Sequence, residues 1–264
     1  MTVSTFTKTF RVCLVLAALT GCEAIGGKPA ASPDALEKTL RQSAFAAEAE
    51  GKYAVAANHY RKLLGHKPDD QKTMIALVRN LRYTGEVKQA LEILQSKAKE
   101  FGRSPAYLIE LGKAKLALND PQGAIATMKE ALRAGGDNWE ALTAMGIGYD
   151  LLQAHDEAWK AYQKALKISA NNPAILNNMA ISAALVGNLN LAISILEGAP
   201  GYARKIQQIR QNLALFYGLK GDIKKAEMLA KMDLDEESVL NNLDIYARLH
   251  KQRKNKPKKK TQAK

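Results

Sequence analysis

Cysteine is nearly missing from this sequence: of 264 residues, only Cys13 and Cys22 carry a thiol. That excludes a disulfide-built scaffold and leaves too few thiolates for a cysteine-ligated zinc or iron–sulfur centre. Histidine is as scarce, with His59, His66, His155 and His250 alone, so there is little material for an imidazole metal site or for general acid–base work. A long hydrophobic run is missing too. The longest, Val12 to Leu19, is eight residues, against the ~20 that a bilayer-spanning helix needs. Acids are absent from the last fourteen residues, where Lys251 to Lys264 hold eight lysines or arginines.

What is present describes a folded body with special ends. A hydrophobic content of 47% and a charged content of 25% are those of a folded chain. The net charge of +13 would suggest nucleic acid if it were spread over one domain. Of the 39 basic residues, however, eight lie in 251–264 and two in 1–21, which leaves 29 against 26 acids in the body. The basicity belongs to a tail, read as disordered over 251–264 and as a candidate contact for anionic lipid, lipopolysaccharide or cell-wall polymer. No nucleic-acid partner is expected.

At the amino terminus, Lys8 and Arg11 precede the apolar stretch Val12 to Leu19, which is followed by Thr20 and Gly21. That order is an export signal over residues 1–21, removed on maturation. Leu19-Thr20-Gly21-Cys22 further resembles the bacterial lipobox, which implies a lipid on the Cys22 thiol and a membrane attachment through it. Glu23 in place of aspartate leans the expected address to the outer membrane, facing the periplasm. Residues 22–36, with Gly26, Gly27, Pro29, Ser32 and Pro33, read as the lipidated cysteine and a flexible tether.

The body repeats itself every 34 residues, with starts at Glu37, Gln71, Pro105, Trp139, Pro173 and Gln207 and no gaps. The twentieth column is alanine throughout: Ala56, Ala90, Ala124, Ala158, Ala192 and Ala226. The eighth holds small residues, Ala44, Val78, Gly112, Gly146, Ala180 and Ala214, where two helices of a hairpin approach closely. The fifteenth, Gly51, Gly85, Asn119, Gln153, Gly187 and Gly221, reads as the turn between them. Leu40, Met74, Leu108, Leu142 and Leu176 complete an apolar stripe with helical spacing that Arg210 interrupts in the sixth unit.

This pattern resembles the tetratricopeptide repeat, best in the fourth unit, where Leu142, Met145, Gly146, Tyr149, Ala158, Tyr162 and Ala165 stand at signature positions. Lys97 and Asp233 depart from it at the last-turn position of units two and six. The resemblance implies an all-α fold: an α-solenoid superhelix of six helical hairpins over 37–240. A capping helix over 241–250, read from Leu240, Leu243, Tyr246 and Leu249, follows it. It also implies a concave binding face at the second, fifth, ninth and twelfth columns. There Lys72, Arg79, Arg82 and Lys113 lead into Ile147, Asn177 and Ile181, a basic-to-apolar groove suited to an extended peptide with an acidic end.

Catalytic motifs do not assemble. Ser96 and Lys99 have a serine-x-x-lysine spacing without companion motifs, Gly146 and Gly148 lie within a helix with no strand before them, and His59 and His66 lack acidic partners. No enzyme activity, metal or cofactor is expected beyond the lipid on Cys22.

The stretch Arg210 to Leu215, Tyr217 to Asp222, Ala226-Glu227, Ala230, Asp233-Leu234 and Val239 with Asn241-Asn242-Leu243 is similar to the carboxy-terminal part of the TadD family. These are tetratricopeptide lipoproteins of the tight adherence (Tad/Flp) pilus and secretion machinery. That similarity implies a non-enzymatic assembly factor whose partners are machinery proteins, among them the outer-membrane secretin. A general envelope scaffold for outer-membrane protein assembly or cell-wall synthesis, and a cell-wall enzyme or its direct activator, are the alternatives.

Overall fold

A computed structural model describes residues 32–255. The expected signal segment 1–21, the expected lipidation site Cys22, tether residues 22–31 and tail residues 256–264 lie outside the described residues. Short polar side chains and prolines at the repeat junctions set where helices begin. Ser32, Asp70, Asn138 and Asn172 each accept a backbone N–H from the first turn that follows. Pro105 and Pro173 occupy the first helical position, where a missing N–H costs nothing.

Six hairpins result: α1 (Pro33–Ala49) with α2 (Tyr53–His66), α3 (Gln71–Tyr83) with α4 (Val87–Ser96) and a short α5 (Ala98–Phe101), and α6 (Pro105–Ala117) with α7 (Pro121–Gly135). Then come α8 (Trp139–Leu151) with α9 (His155–Ile168), α10 (Pro173–Leu185) with α11 (Leu189–Glu197) and a short α12 (Gly201–Arg204), and α13 (Gln207–Lys220) with α14 (Ile223–Ala230). A final helix, α15 (Glu236–Asn255), packs back on α13 and α14. The described residues form an all-α solenoid with no strand.

The repeat columns explain the packing. All six alanines of the twentieth column are fully buried, and all six residues of the turn column have positive φ, from 59° at Asn119 and Gln153 to 98° at Gly221. In the eighth column, a Cβ on Gly146 would meet the Tyr162 ring at 2.7 Å from Cζ and 2.8 Å from Cδ1. Glycine lets that ring lie against the helix backbone.

Two units depart from the regular pattern. Lys97 takes a position that Leu63, Ala131, Ala165 and Ala199 bury elsewhere. Its ammonium instead reaches Asp69 at 2.7 Å and Glu100 at 2.8 Å, and the second helix of unit two breaks there into α4 and α5. In unit six the two departures meet: Arg210 pairs with Asp233, its Nε donating at 2.9 Å, so a charged pair stands where units one, three, four and five place apolar side chains.

The ends also differ from the sequence reading. Helix α1 begins at Pro33, inside the stretch read as tether, because Ser32 caps it. Helix α15 begins before 241 and continues through 251–255, inside the stretch whose composition marks a tail. Its inward stripe is Val239, Leu243, Tyr246 and His250, whereas Leu240 and Leu249 are exposed. Steps of three residues drift 60° per step around a 3.6-residue helix, so four such residues cannot share one face.

Candidate partner-binding groove

The first helices of units two to four, α3, α6 and α8, line a concavity of about 530 Å³. Its apolar surface comes from Leu116, Trp139, Ile147 and Leu151, with Tyr83 at the rim. Tyr83 and Leu151 occupy the thirteenth column and are about half exposed, at 51% and 50%. The Tyr83 ring is fixed between the Arg82 guanidinium, 4.7 Å from its centroid, and the Tyr53 ring at the same separation.

Arg79, Arg82 and Lys113 lie in this concavity as the sequence reading placed them, but they are not a free basic row. All three converge on Glu110, whose side chain is 1% exposed. Arg79 donates to Oε1 through Nε and Nη2, both at 3.3 Å, Lys113 donates to the same oxygen at 3.1 Å, and Arg82 Nε stands 3.7 Å from Oε2. Lys113 also pairs with Glu140 across the next joint. Burial works to raise the Glu140 carboxyl, and Lys113, with Arg79 and Arg82 behind it, outweighs burial and holds it below the ordinary carboxylate value. Three cations against two carboxylates leave one surplus positive charge beside an apolar wall.

A second concavity, also about 530 Å³, adjoins the first through Ile147 and Leu151 and is lined further by Ile181 and Leu185. At its side Asp150 accepts from Tyr162 at 2.9 Å and Ser182 at 2.8 Å, and His155 Nδ1 lies 2.8 Å from the same carboxylate. Serine, histidine and aspartate therefore meet here, but both the serine and the histidine bond to the aspartate. The histidine is not placed to take the serine's proton, so the order that activates a nucleophile is missing. Burial and Asp150 together push the Tyr162 hydroxyl upward, which keeps it a donor. Among the described residues no group of three or more His, Cys, Asp or Glu could hold a metal, and no helix is long and apolar enough to cross a membrane.

The remaining candidates separate. Lys72 is exposed at the start of α3 and does not line the concavity. Asn177 is buried and accepts from Asn212 at 2.6 Å, tying units five and six together instead of facing a ligand. Cys22 lies outside the described residues.

A family model for the tetratricopeptide repeat matches residues 75–137 and 109–173. Together the two matches span residues 75–173, where the helical hairpins have the fold of that repeat. No curated protein matches the chain by sequence. Among solved structures, the tetratricopeptide protein TTC0263 of Thermus thermophilus superposes with a TM-score of 0.64 at 22% identity, covering 68% of this chain and 98% of that one. PilW, described as a widely conserved type IV pilus biogenesis factor, gives 0.62 at 15% identity over 80% of this chain and 98% of its own. A chain of the APC/C hetero-tetramer Cut9–Hcn1 gives 0.62 at 16% identity over 83% of this chain and 43% of its own. At these identities the likeness is one of fold.

Within the repeat units, reading only cations along the groove columns overlooked Glu110, in the sixth column, and Glu140, in the second. It also overlooked the recurring clasp between units. In units one and four an acid in the twelfth column, Glu48 or Asp150, accepts from a tyrosine in the twenty-fourth, Tyr60 or Tyr162. The same acid takes a polar side chain in the tenth column of the next unit, Asn80 at 2.5 Å or Ser182 at 2.8 Å. The other units have neither that acid nor that tyrosine, so the pairing was legible in the columns themselves.

Proposed function

We propose that this chain is a lipid-anchored, periplasm-facing binding scaffold of a Tad/Flp-type pilus machine, acting where the secretin is assembled in the outer membrane. The observation that carries the scaffold reading is the groove itself. Tyr83, Trp139, Ile147 and Leu151 offer apolar surface to solvent next to one surplus positive charge. An apolar partner segment carrying a carboxylate fits both features, each well-buried apolar side chain contributing about 1.5–3 kcal/mol. Tetratricopeptide repeats as a class serve protein–protein interaction, which agrees with this geometry. The pilus assignment is supported by the similarity of Ile209 to Leu243 to the TadD family, the anchor by Leu19 to Cys22. The likeness to PilW adds a pilus factor of the same fold.

The test is genetic and biochemical together. In a strain lacking the gene, membrane fractions would be blotted for the heat-resistant secretin multimer and the surface imaged for pili. Loss of both, restored by the wild-type gene but not by Cys22→Ser or by Tyr83→Asp with Leu151→Asp, is expected. Both groove side chains are half exposed, so these changes spare the core. Normal secretin and normal pili in the deletion strain would discard the pilus assignment.

A further inference from the structure

At the carboxy-terminal end of the solenoid a different kind of pocket forms, open and polar, of about 370 Å³. Its three walls are the end of α13 with Lys220, the first turn of α11 with Asn188 and Asn190, and the last turns of α15 with His250, Arg253 and Lys254. No acidic residue lines it, and among the described residues none of these cations pairs with a carboxylate.

The register of α15 builds this pocket. Tyr246, His250 and Arg253 follow at i, i+4 and i+7 along one face. Tyr246 sits over Gly218, His250 over the Gly221 turn, and Arg253 reaches back to the turn at Gly187 in unit five. His250 Nδ1 lies 3.0 Å from the Leu219 carbonyl, which can only accept, so Nδ1 carries a hydrogen and the ring is held in place. Arg253 donates to the Gly187 carbonyl at 3.1 Å.

Cations at a helix carboxyl end ordinarily do no more than complement its dipole. That accounts for Arg253 and Lys254 on α15 taken alone, but not for their convergence with Lys220 from another helix on the amino-terminal turn of a third. The two carbonyls that would repel an anion here, Leu219 and Gly187, already accept hydrogen bonds from His250 and Arg253. At the start of α11 the Leu189 and Leu191 N–H groups are already taken by the Gly187 carbonyl and the Asn188 side chain, so what remains open to a ligand is the positive charge of Lys220, Arg253 and Lys254. We infer that this pocket binds a phosphate group, presented by a phospholipid headgroup or by a soluble phosphate. The site lies in the folded solenoid, is distinct from the groove, and rests neither on the groove nor on the pilus assignment.

The test uses the mature chain from residue 22 with Cys22→Ser, so that neither the apolar signal segment nor an acyl chain contributes. Sedimentation would be measured with vesicles of phosphatidylcholine alone or mixed with phosphatidylglycerol, and inorganic pyrophosphate would be titrated calorimetrically. Lys220→Gln with Lys254→Gln removes two pocket charges that make no internal hydrogen bond, while Lys160→Gln with Lys164→Gln removes two from the exposed face of α9 as a control. The pocket pair is expected to weaken binding by at least about tenfold and the control pair by less than about twofold, given the contribution of each cation near an anionic surface. Binding to the anionic vesicles identifies a headgroup as the source, and binding to pyrophosphate alone a soluble phosphate. Equal losses from the two pairs, binding to neither ligand, or binding that vanishes only when residues 256–264 are removed would overturn the inference.

Discussion

Adding one methyl group at Gly146 tests how the hairpins close. In Gly146→Ala the new Cβ would stand within 2.8 Å of Tyr162 Cζ and Cδ1. The ring is 1% exposed and its hydroxyl is held by Asp150 at 2.9 Å, so it cannot swing away without losing that bond. Overpacking of this kind costs about 1–3 kcal/mol, and a hydrogen bond to a charged acceptor contributes about 1.5–3 kcal/mol. Replacing a mid-helix glycine by alanine returns about 1 kcal/mol. The expected net loss is about 2–4 kcal/mol. Gly112→Ala is the same change one repeat earlier, but its Cβ would meet the Cε of Met128 at 2.6 Å, the far end of an unbranched and adaptable side chain. That substitution should fall within about 1 kcal/mol of the parent. Urea unfolding followed by helical circular dichroism reads the difference, with the Gly146→Ala midpoint lower by about 1–2 M. Coincident midpoints for the two variants would refute the claim that a pinned aromatic ring, and not the column as such, demands glycine.

Removing the buried carboxylate in Glu110→Gln should lower stability by about 1–3 kcal/mol, since three cations lose a charged acceptor but Arg79 keeps access to water; thermal unfolding checks it, and an unchanged midpoint counts against the cluster. Arg210→Leu strands Asp233 and should destabilise, whereas Arg210→Leu combined with Asp233→Ala should recover at least half of that loss, because the two departures satisfy each other. The Glu140 and Asp70 carboxyls are both held below their ordinary values. Burial raises each, but Lys113 outweighs it for Glu140, and the hydrogen bonds from Thr73 and Arg41 do so for Asp70. A depressed folded value gives stability that is complete above the unfolded value near pH 4 and is lost as pH falls through the folded one. The melting temperature should therefore drop below about pH 4, less steeply in Glu140→Gln, and identical slopes for parent and variant would contradict the Lys113–Glu140 pairing.

Much of the fold was legible because a solenoid writes the same demands into every unit. The alanine column, the small column and the turn column each answer one steric requirement, and all six turn residues have the backbone conformation their column foretold. What was not legible depended on contacts between columns. Arg79, Arg82 and Lys113 read as a free basic row only while Glu110, 31 residues after Arg79 in the chain, is left out of the same space. Asn177 faces Asn212 across a joint, a pairing that its column alone cannot announce. The stripe on α15 was misplaced for a geometric reason, since Leu240 and Leu249 fit a three-residue rhythm that the helix does not keep.

The ion cluster in the groove has a mechanical side. Units one and two, and four and five, are fastened by the clasps at Glu48 and Asp150, whereas units two, three and four are joined by Arg79 to Glu110 and by Lys113 to Glu140. The side chains nearest a guest in the groove are thus the bolts of the two middle joints. A guest carboxylate that drew Lys113 or Arg79 towards itself would compete with the ion pairs that join units two, three and four, so the proposed occupancy of the groove and the firmness of those joints would draw on the same few bonds.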